Sequence, residues 1–247
     1  MAGHSKWKNI QHRKGAQDAK RGKVFAKIAR EIVVAVKLGG DDADSNARLR
    51  LVLSKARAAN MPKDNITRAV NKGAGNTGSE SYSEKTYEAV GQSGAAFLID
   101  CLTDNANRTV SEVRYVLGKH GATLGGSVGW MFKQTGVLVY DRASIGGDYD
   151  KFMDTVLEQD VDDVREYEEQ DDDEGSKHYV EIHCQPQQLA EVKTSLNAFT
   201  DFEHEAIASL PDSWVAVDEA QKATILKMLE QLDDLEDVQE VYHNVKL

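Results

Sequence analysis

GVLVYDR (136–142), YDKFMDTVLEQ (149–159), VDDVREYE (161–168), HYVEIHC (178–184), LAEVKTSLNAF (189–199) and EHEAIASL (203–210) read in order as strand, helix, strand, strand, helix and strand. The strand runs are short and rich in β-branched and aromatic residues, whereas the two helical runs repeat their apolar residues at three- and four-residue spacing. The order β-α-β-β-α-β is the ferredoxin-like unit. It places this part of the chain in the α+β class.

Working outward, TYEAV (86–90) and AAFLIDCLTD (95–104) read as two strands around a Gly91 to Gly94 turn, and NRTVSEVRYVLGKHG (107–121) as a helix with Val110, Val113, Val116 and Leu117 inward. Beyond Pro211, WVAV, a helix from about Asp218 to Leu232, and VQEVYHNV add a strand, a helix and a strand that complete the sheet left open near residue 120. The reading is an α+β domain of residues 82–132 plus 211–247 with a second domain, 133–210, inserted. Two domains in series is the alternative.

Residues 1–75 form a different module. The first helix spans about Ala16 to Leu38 and stops at Gly39-Gly40, with Phe25, Ile28, Ala29, Ile32, Val33 and Val36 on one side and Lys20, Lys23, Lys27, Arg30 and Lys37 nearly opposite. A second follows DDADSN, capped by Ser45 or Asp44, with Leu49, Val52, Leu53, Ala56 and Ala59 inward and Arg50 and Arg57 together on another face. A third follows Pro62 with Asp64 as its cap, with Ile66, Ala69 and Val70 inward, and closes at Gly73. Short helices with tight connections predict a small antiparallel bundle. Met1 to Gly15 is expected to be a tail ordered by a partner, and residues 73–84 a flexible linker.

Charge separates the modules. Residues 1–75 hold 17 basic and 6 acidic side chains, a net of +11, although the whole chain of 247 residues carries −11. The remainder therefore carries −22. Cys101 and Cys184, far apart and without CxxC spacing, exclude a disulfide scaffold or a zinc ribbon and fit a reducing compartment. Neither a membrane-spanning run nor a secretory h-region occurs, so the expected location is cytoplasmic, with a transit peptide or a membrane-surface helix as the other readings of the basic start.

Several motifs tempt and fail. Gly73 to Gly78 has GxGxxG spacing but follows a helix and precedes a polar linker, the reverse of a dinucleotide loop. Gly125-Gly126-Ser127-Val128-Gly129 has the GxSxG spacing of a nucleophile elbow but lies between a helix and a strand, so it reads as a loop needing positive φ. Asp42, Asp44 and Asn46 open like a calcium loop, yet Ala47 and Leu53 stand where Gly and Glu belong. His183 and Cys184 are neighbours in a strand and face opposite ways. The acidic run Glu166 to Glu174 reads as a solvated turn. No enzyme, metal or cofactor is expected.

Binding is the remaining chemistry. Lys and Arg on one helical face neutralise phosphates and release counterions. Trp7, His4 and His12 lie among Lys6, Lys8, Arg13 and Lys14, so an aromatic can stack on an unpaired base while cations hold the backbone. The candidate nucleic-acid-binding residues are Lys6, Trp7, Lys8, His12, Arg13, Lys14, Lys20, Arg21, Lys23, Lys27, Arg30, Arg50, Lys55, Arg57, Lys63 and Arg68.

The stretches MAGHSKWKNIQHRKGAQDAKRGK, KARAANMPKDNITRAVNKG, LTDNANRT and VQEVYHNV resemble the hallmark segments of the YebC family, which also includes mitochondrial translational activators of cytochrome oxidase. The resemblance covers essentially the whole chain. It implies a three-helix N-terminal bundle followed by two ferredoxin-like α+β domains, one inserted in the other. Its function is implied to be a DNA-binding transcriptional regulator; the alternative is a ribosome-associated translation factor that binds ribosomal or transfer RNA. Its basic segment falls on Lys6, Trp7, His12, Arg13, Lys14, Lys20, Arg21 and Lys23, and its second basic motif on Lys55, Arg57, Lys63, Asn65 and Arg68. Its TDN-NRT motif falls on Thr103, Asp104, Asn105, Asn107, Arg108 and Thr109, making Asn105, Asn107 and Arg108 a secondary candidate loop. Two departures stand out: Ala106 replaces the arginine usual between the two Asn, and residues 88–94 replace a more glycine-rich turn. Partners expected are nucleic acid for the basic module and the ribosome or basic proteins for the acidic domains, with no membrane.

Overall fold

The computed structural model describes residues 17–75, 82–145, 149–171, 175–200 and 202–247. The tail before residue 17, most of the expected linker and the tip of the acidic turn lie outside these residues. The chain divides into two compact units, one of Phe132–Asp212 and one that joins the described residues up to Met131 with Ser213–Leu247.

The helical module of the second unit consists of α1 (Gln17–Gly39), α2 (Ala47–Ala58) and α3 (Lys63–Gly73). Ile28, Ile32, Val33, Val36, Leu49, Val52, Ala56 and Ala69 form its core, with Phe25, Ala29, Leu53, Ile66 and Val70 packed at its margin. Burying such side chains contributes about 1.5–3 kcal/mol each, so the periodic apolar stripe accounts for the bundle. Gly73 marks the closest approach of α3 to α1: a Cβ there would lie 2.7 Å from the Val36 Cβ and 2.9 Å from the Val33 carbonyl oxygen.

Two expected caps are corrected. The N-cap of α2 is Asn46, not Ser45 or Asp44; its side chain accepts from the Leu49 N–H at 3.0 Å while its amide donates to the Ala35 and Gly40 carbonyls, both at 2.8 Å. Asp42 instead accepts from the Asp44 N–H and the Ser45 hydroxyl. In α3 the N-cap is Pro62, without a side-chain cap, and Asp64 lies in the first turn. Between the two helices, the Met61 N–H reaches the Ala56 carbonyl and the Asn60 N–H the Arg57 carbonyl, with Asn60 at φ 54°. This is a Schellman turn with asparagine in the left-handed position.

The sheet of this unit has strands β1 (Ser83–Val90), β2 (Ala96–Thr103), β3 (Thr123–Leu124) and β9 (Val238–His243), in the order β3-β1-β2-β9 and antiparallel throughout. Helices α4 (Ala106–Lys119) and α7 (Glu219–Asp233) cover one face, where Phe97, Ile99 and Cys101 meet Val113, Leu117, Met228 and Leu232. Two helices on one face of a four-stranded antiparallel sheet are the ferredoxin-like layers, with the chain running β-β-α-β-α-β instead of β-α-β-β-α-β. One expectation changes: WVAV does not join this sheet. Its strand β8 (Val215–Ala216) pairs in parallel with β10 (Val245–Lys246) as a separate two-stranded ladder.

The other unit is the β-α-β-β-α-β segment: β4 (Phe132–Asp141), α5 (Tyr149–Leu157), β5 (Val161–Asp171), β6 (Gly175–Cys184), α6 (Leu189–Leu196) and β7 (His204–Pro211). Its sheet order is β5-β6-β4-β7, all antiparallel, the ferredoxin-like arrangement. Leu138, Tyr140, Val180 and Ile182 face the helices, and the Phe152 ring packs edge-on against Tyr140 and Phe199 at 5.5 Å each.

Candidate nucleic-acid interface

Three cations of the α1 basic stripe are paired with acids of their own chain. Lys23, Lys27 and Arg30 recur at helical spacing on one face, and that face meets the turn between α7 and β9. Lys23 pairs with Asp234 at 3.1 Å; Lys27 pairs with the Asp233 carboxylate at 2.9 Å and donates to its carbonyl at 2.7 Å. Arg30 donates to both the backbone and the carboxylate of Glu236 and approaches Asp237 at 3.6 Å. From α2, Lys55 bridges Glu31 at 2.8 Å and Glu240 on β9 at 3.1 Å. Burial opposes the Lys55 ammonium's charge, but the two carboxylates outweigh it and hold the proton more tightly than usual. The Lys27 and Arg30 side chains are only 13% and 12% exposed.

Asp237 is the centre of this clasp. Its carboxylate, 3% exposed, accepts from the Thr109 hydroxyl and the Arg108 guanidinium at 2.7 Å each and from the Thr103 hydroxyl at 3.1 Å. Burial alone would raise its pKa, yet these donors hold it below the ordinary carboxylate value. Arg108 also pairs with Asp104 at 2.9 Å, and Asn105 caps α4 by accepting from the Arg108 N–H. The TDN-NRT stretch therefore builds a capped helix start around a buried acid contributed from residue 237; of the secondary candidate loop, Asn107 alone has its side chain directed at none of these partners among the described residues.

The other candidate cations lie elsewhere. Arg21, Arg50, Arg57, Lys63 and Arg68 are exposed. Arg50 rests on the Ala43 and Asp44 carbonyls, and Arg68 on the Asp64 carbonyl and the Asn65 side chain. The side chains of Arg57 and Lys63, on either side of the Schellman turn, make no hydrogen bond or ion pair among the described residues. Lys6, Trp7, Lys8, His12, Arg13 and Lys14 lie outside the described residues. Lys20 is on α1, within the helix's first described turn.

Sequence reasoning identified the basic face and missed its partners. The signal was present as the run of acids at 233, 234, 236 and 237, but a run of carboxylates in sequence looks the same whether it meets solvent or a helix 200 residues away. Among the described residues no group of three His, Cys, Asp or Glu side chains is placed to hold a metal ion, and no helix is long and apolar enough to cross a membrane. Burial pushes the Cys101 thiol up to about 12 and the Cys184 thiol up to about 11, away from nucleophilic chemistry.

A family model described as the TACO1/YebC protein N-terminal domain matches residues 5–76, and one described as the TACO1/YebC second and third domain matches residues 82–245. Similar proteins include one from Trichlorobacter lovleyi, 44% identical over 99% of this chain and 95% of its own length. Another is from Cupriavidus necator, 46% identical over 99% and 98%. Both are named probable transcriptional regulatory proteins. The crystal structure of a conserved hypothetical protein from Aquifex aeolicus superposes with a TM-score of 0.81 at 36% identity, covering 98% of this chain and 97% of the other.

Proposed function

Since this chain belongs to the TACO1/YebC family, we propose that it is a nucleic-acid-binding regulator of gene expression, without enzymatic activity, whose phosphate grip is the exposed face of α2 and α3. The relatives' name is that of a transcriptional regulator, which favours DNA as the target. The observation that carries the reading is the division of labour among the cations. Lys27, Arg30 and Lys55 are held by acids of the α7–β9 turn and of β9, while Arg50, Arg57, Lys63 and Arg68 remain exposed. A cation that stays paired with a carboxylate neutralises no phosphate and displaces no counterion from the nucleic acid; an exposed one does both. The working surface is thus α2–turn–α3, and not the Lys27 and Arg30 part of the α1 stripe.

The test is equilibrium binding of a short DNA duplex across a salt series. Replacing Arg50, Arg57, Lys63 and Arg68 by Glu should weaken binding across sequences alike and reduce the slope of log K against log salt by about 0.9 for each phosphate that is no longer neutralised. Affinity and slope equal to those of the unaltered protein would refute the assignment.

A further inference from the structure

The glycine-rich stretch 125–131 is a rigid mount for an exposed indole. Gly125 and Gly126 take φ of 115° and 99°, a region closed to most side chains. The Gly125 N–H donates to the Glu88 carbonyl at 2.8 Å, the Val128 and Gly129 N–H groups both donate to the Glu88 carboxylate, and the Met131 N–H closes onto Val128. The two amides meet the charge of Glu88, so the base of the loop does not offer a bare carboxylate. At its tip Trp130 is 75% exposed, more than any other large apolar side chain described. Its indole N–H already donates to the Ser127 carbonyl at 2.8 Å. That bond fixes the ring and uses its only hydrogen-bonding group. What remains for a partner is the flat π surface, which rewards stacking and gives no hydrogen-bond readout.

We propose that Trp130 is a stacking platform for an unpaired nucleobase of the bound nucleic acid. The inference rests on the nucleic-acid reading above and adds to it the strandedness of the ligand: bases in an intact duplex are stacked on each other, so the platform needs a single strand, a loop or a displaced end. Every base has a π-face, so the interaction is tolerant of sequence. It complements a grip made of phosphate contacts, which are equally tolerant. The shared chemistry belongs to single-stranded RNA and single-stranded DNA alike.

The experiment uses the full-length protein with Trp7 and Trp214 replaced by Phe, leaving Trp130 as the sole indole of the three. It is titrated with a single-stranded RNA, the DNA of the same sequence, the duplex, and a base-free polyphosphate of matching charge, with binding followed independently by anisotropy of labelled ligand. The expected result is quenching of Trp130 by one or both single strands and none by polyphosphate or duplex. Trp130→Ala should lose about 5- to 150-fold in single-strand affinity at unchanged salt slope, and Trp130→Phe should recover most of it. RNA-only or DNA-only quenching supports the platform and identifies the strand type. Single-strand binding with silent Trp130 fluorescence, or full affinity in Trp130→Ala, overturns the platform and leaves the phosphate grip standing. Quenching that follows protein concentration or an added basic protein instead of nucleic acid overturns it in favour of a protein partner. Failure of every nucleic acid to bind the unaltered protein in the anisotropy assay removes both readings.

Discussion

Replacing Asp237 probes the clasp most directly. Its carboxylate takes two bonds of 2.7 Å and one of 3.1 Å, from Thr109, Arg108 and Thr103, with Arg30 of α1 approaching at 3.6 Å. At about 1.5–3 kcal/mol per hydrogen bond to a charged group, full loss would be about 4.5–9 kcal/mol. Two of the three donors keep another acceptor, however: Thr109 the Asn105 carbonyl and Arg108 the Asp104 carboxylate, while Arg30 keeps the Glu236 carboxylate. Asp237→Ala should therefore cost about 3–4 kcal/mol, in the range for removing one partner of a buried pair. Asp237→Asn, which keeps an acceptor but loses the charge, should cost about half of that. The assay is chemical denaturation of both variants, of Arg30→Ala, and of the double change, so that the cycle isolates the coupling between α1 and residue 237. Acid adds a second arm. The folded-state pKa of Asp237 lies below the ordinary value of about 3.9. Its contribution is thus fully present above about pH 4 and is lost as pH falls through the lower folded value. The stability gap between the unaltered protein and Asp237→Asn should close on acidification below about pH 4. A cost under about 1 kcal/mol for Asp237→Ala, or a gap that ignores pH, would refute the clasp.

Two further outcomes test the bundle. Gly73→Ala forces a methyl against the Val36 side chain and the Val33 carbonyl; overpacking of about 1–3 kcal/mol should exceed the helix-propensity gain of about 1 kcal/mol, lowering the thermal midpoint. Asn46→Ala removes the α2 cap together with bonds to the buried Ala35 carbonyl and the Gly40 carbonyl, and should cost about 2–4 kcal/mol by denaturant titration, against well under about 1 kcal/mol for Ser45→Ala.

Local periodicity carried much of the architecture. Phe25, Ile28, Ile32, Val33 and Val36 of α1 do face the bundle core, and the β-α-β-β-α-β order yields the β5-β6-β4-β7 sheet. These are readable because a stripe at helical spacing or a strand order constrains its own burial whatever surrounds it. Caps were less legible. Asp44, Ser45 and Asn46 all carry an oxygen suited to an N-cap, and what selects Asn46 is the pair of carbonyls at Ala35 and Gly40 that its amide also satisfies. The WVAV strand was visible as a strand, but its partner was not, since a two-residue segment says nothing about which edge it will find.

The amino-acid sequence by itself determined that a basic helical module precedes an acidic α+β body, because composition and spacing survive without coordinates. Only the tertiary structure decided which of those charges face each other. Lys27 and Asp233 are 206 residues apart, and the attraction between them depends on distance and exclusion of water, neither of which is written in the order of residues. Likewise nothing in the run GWMF says which way Trp130 points; the loop anchored on Glu88 turns it outward.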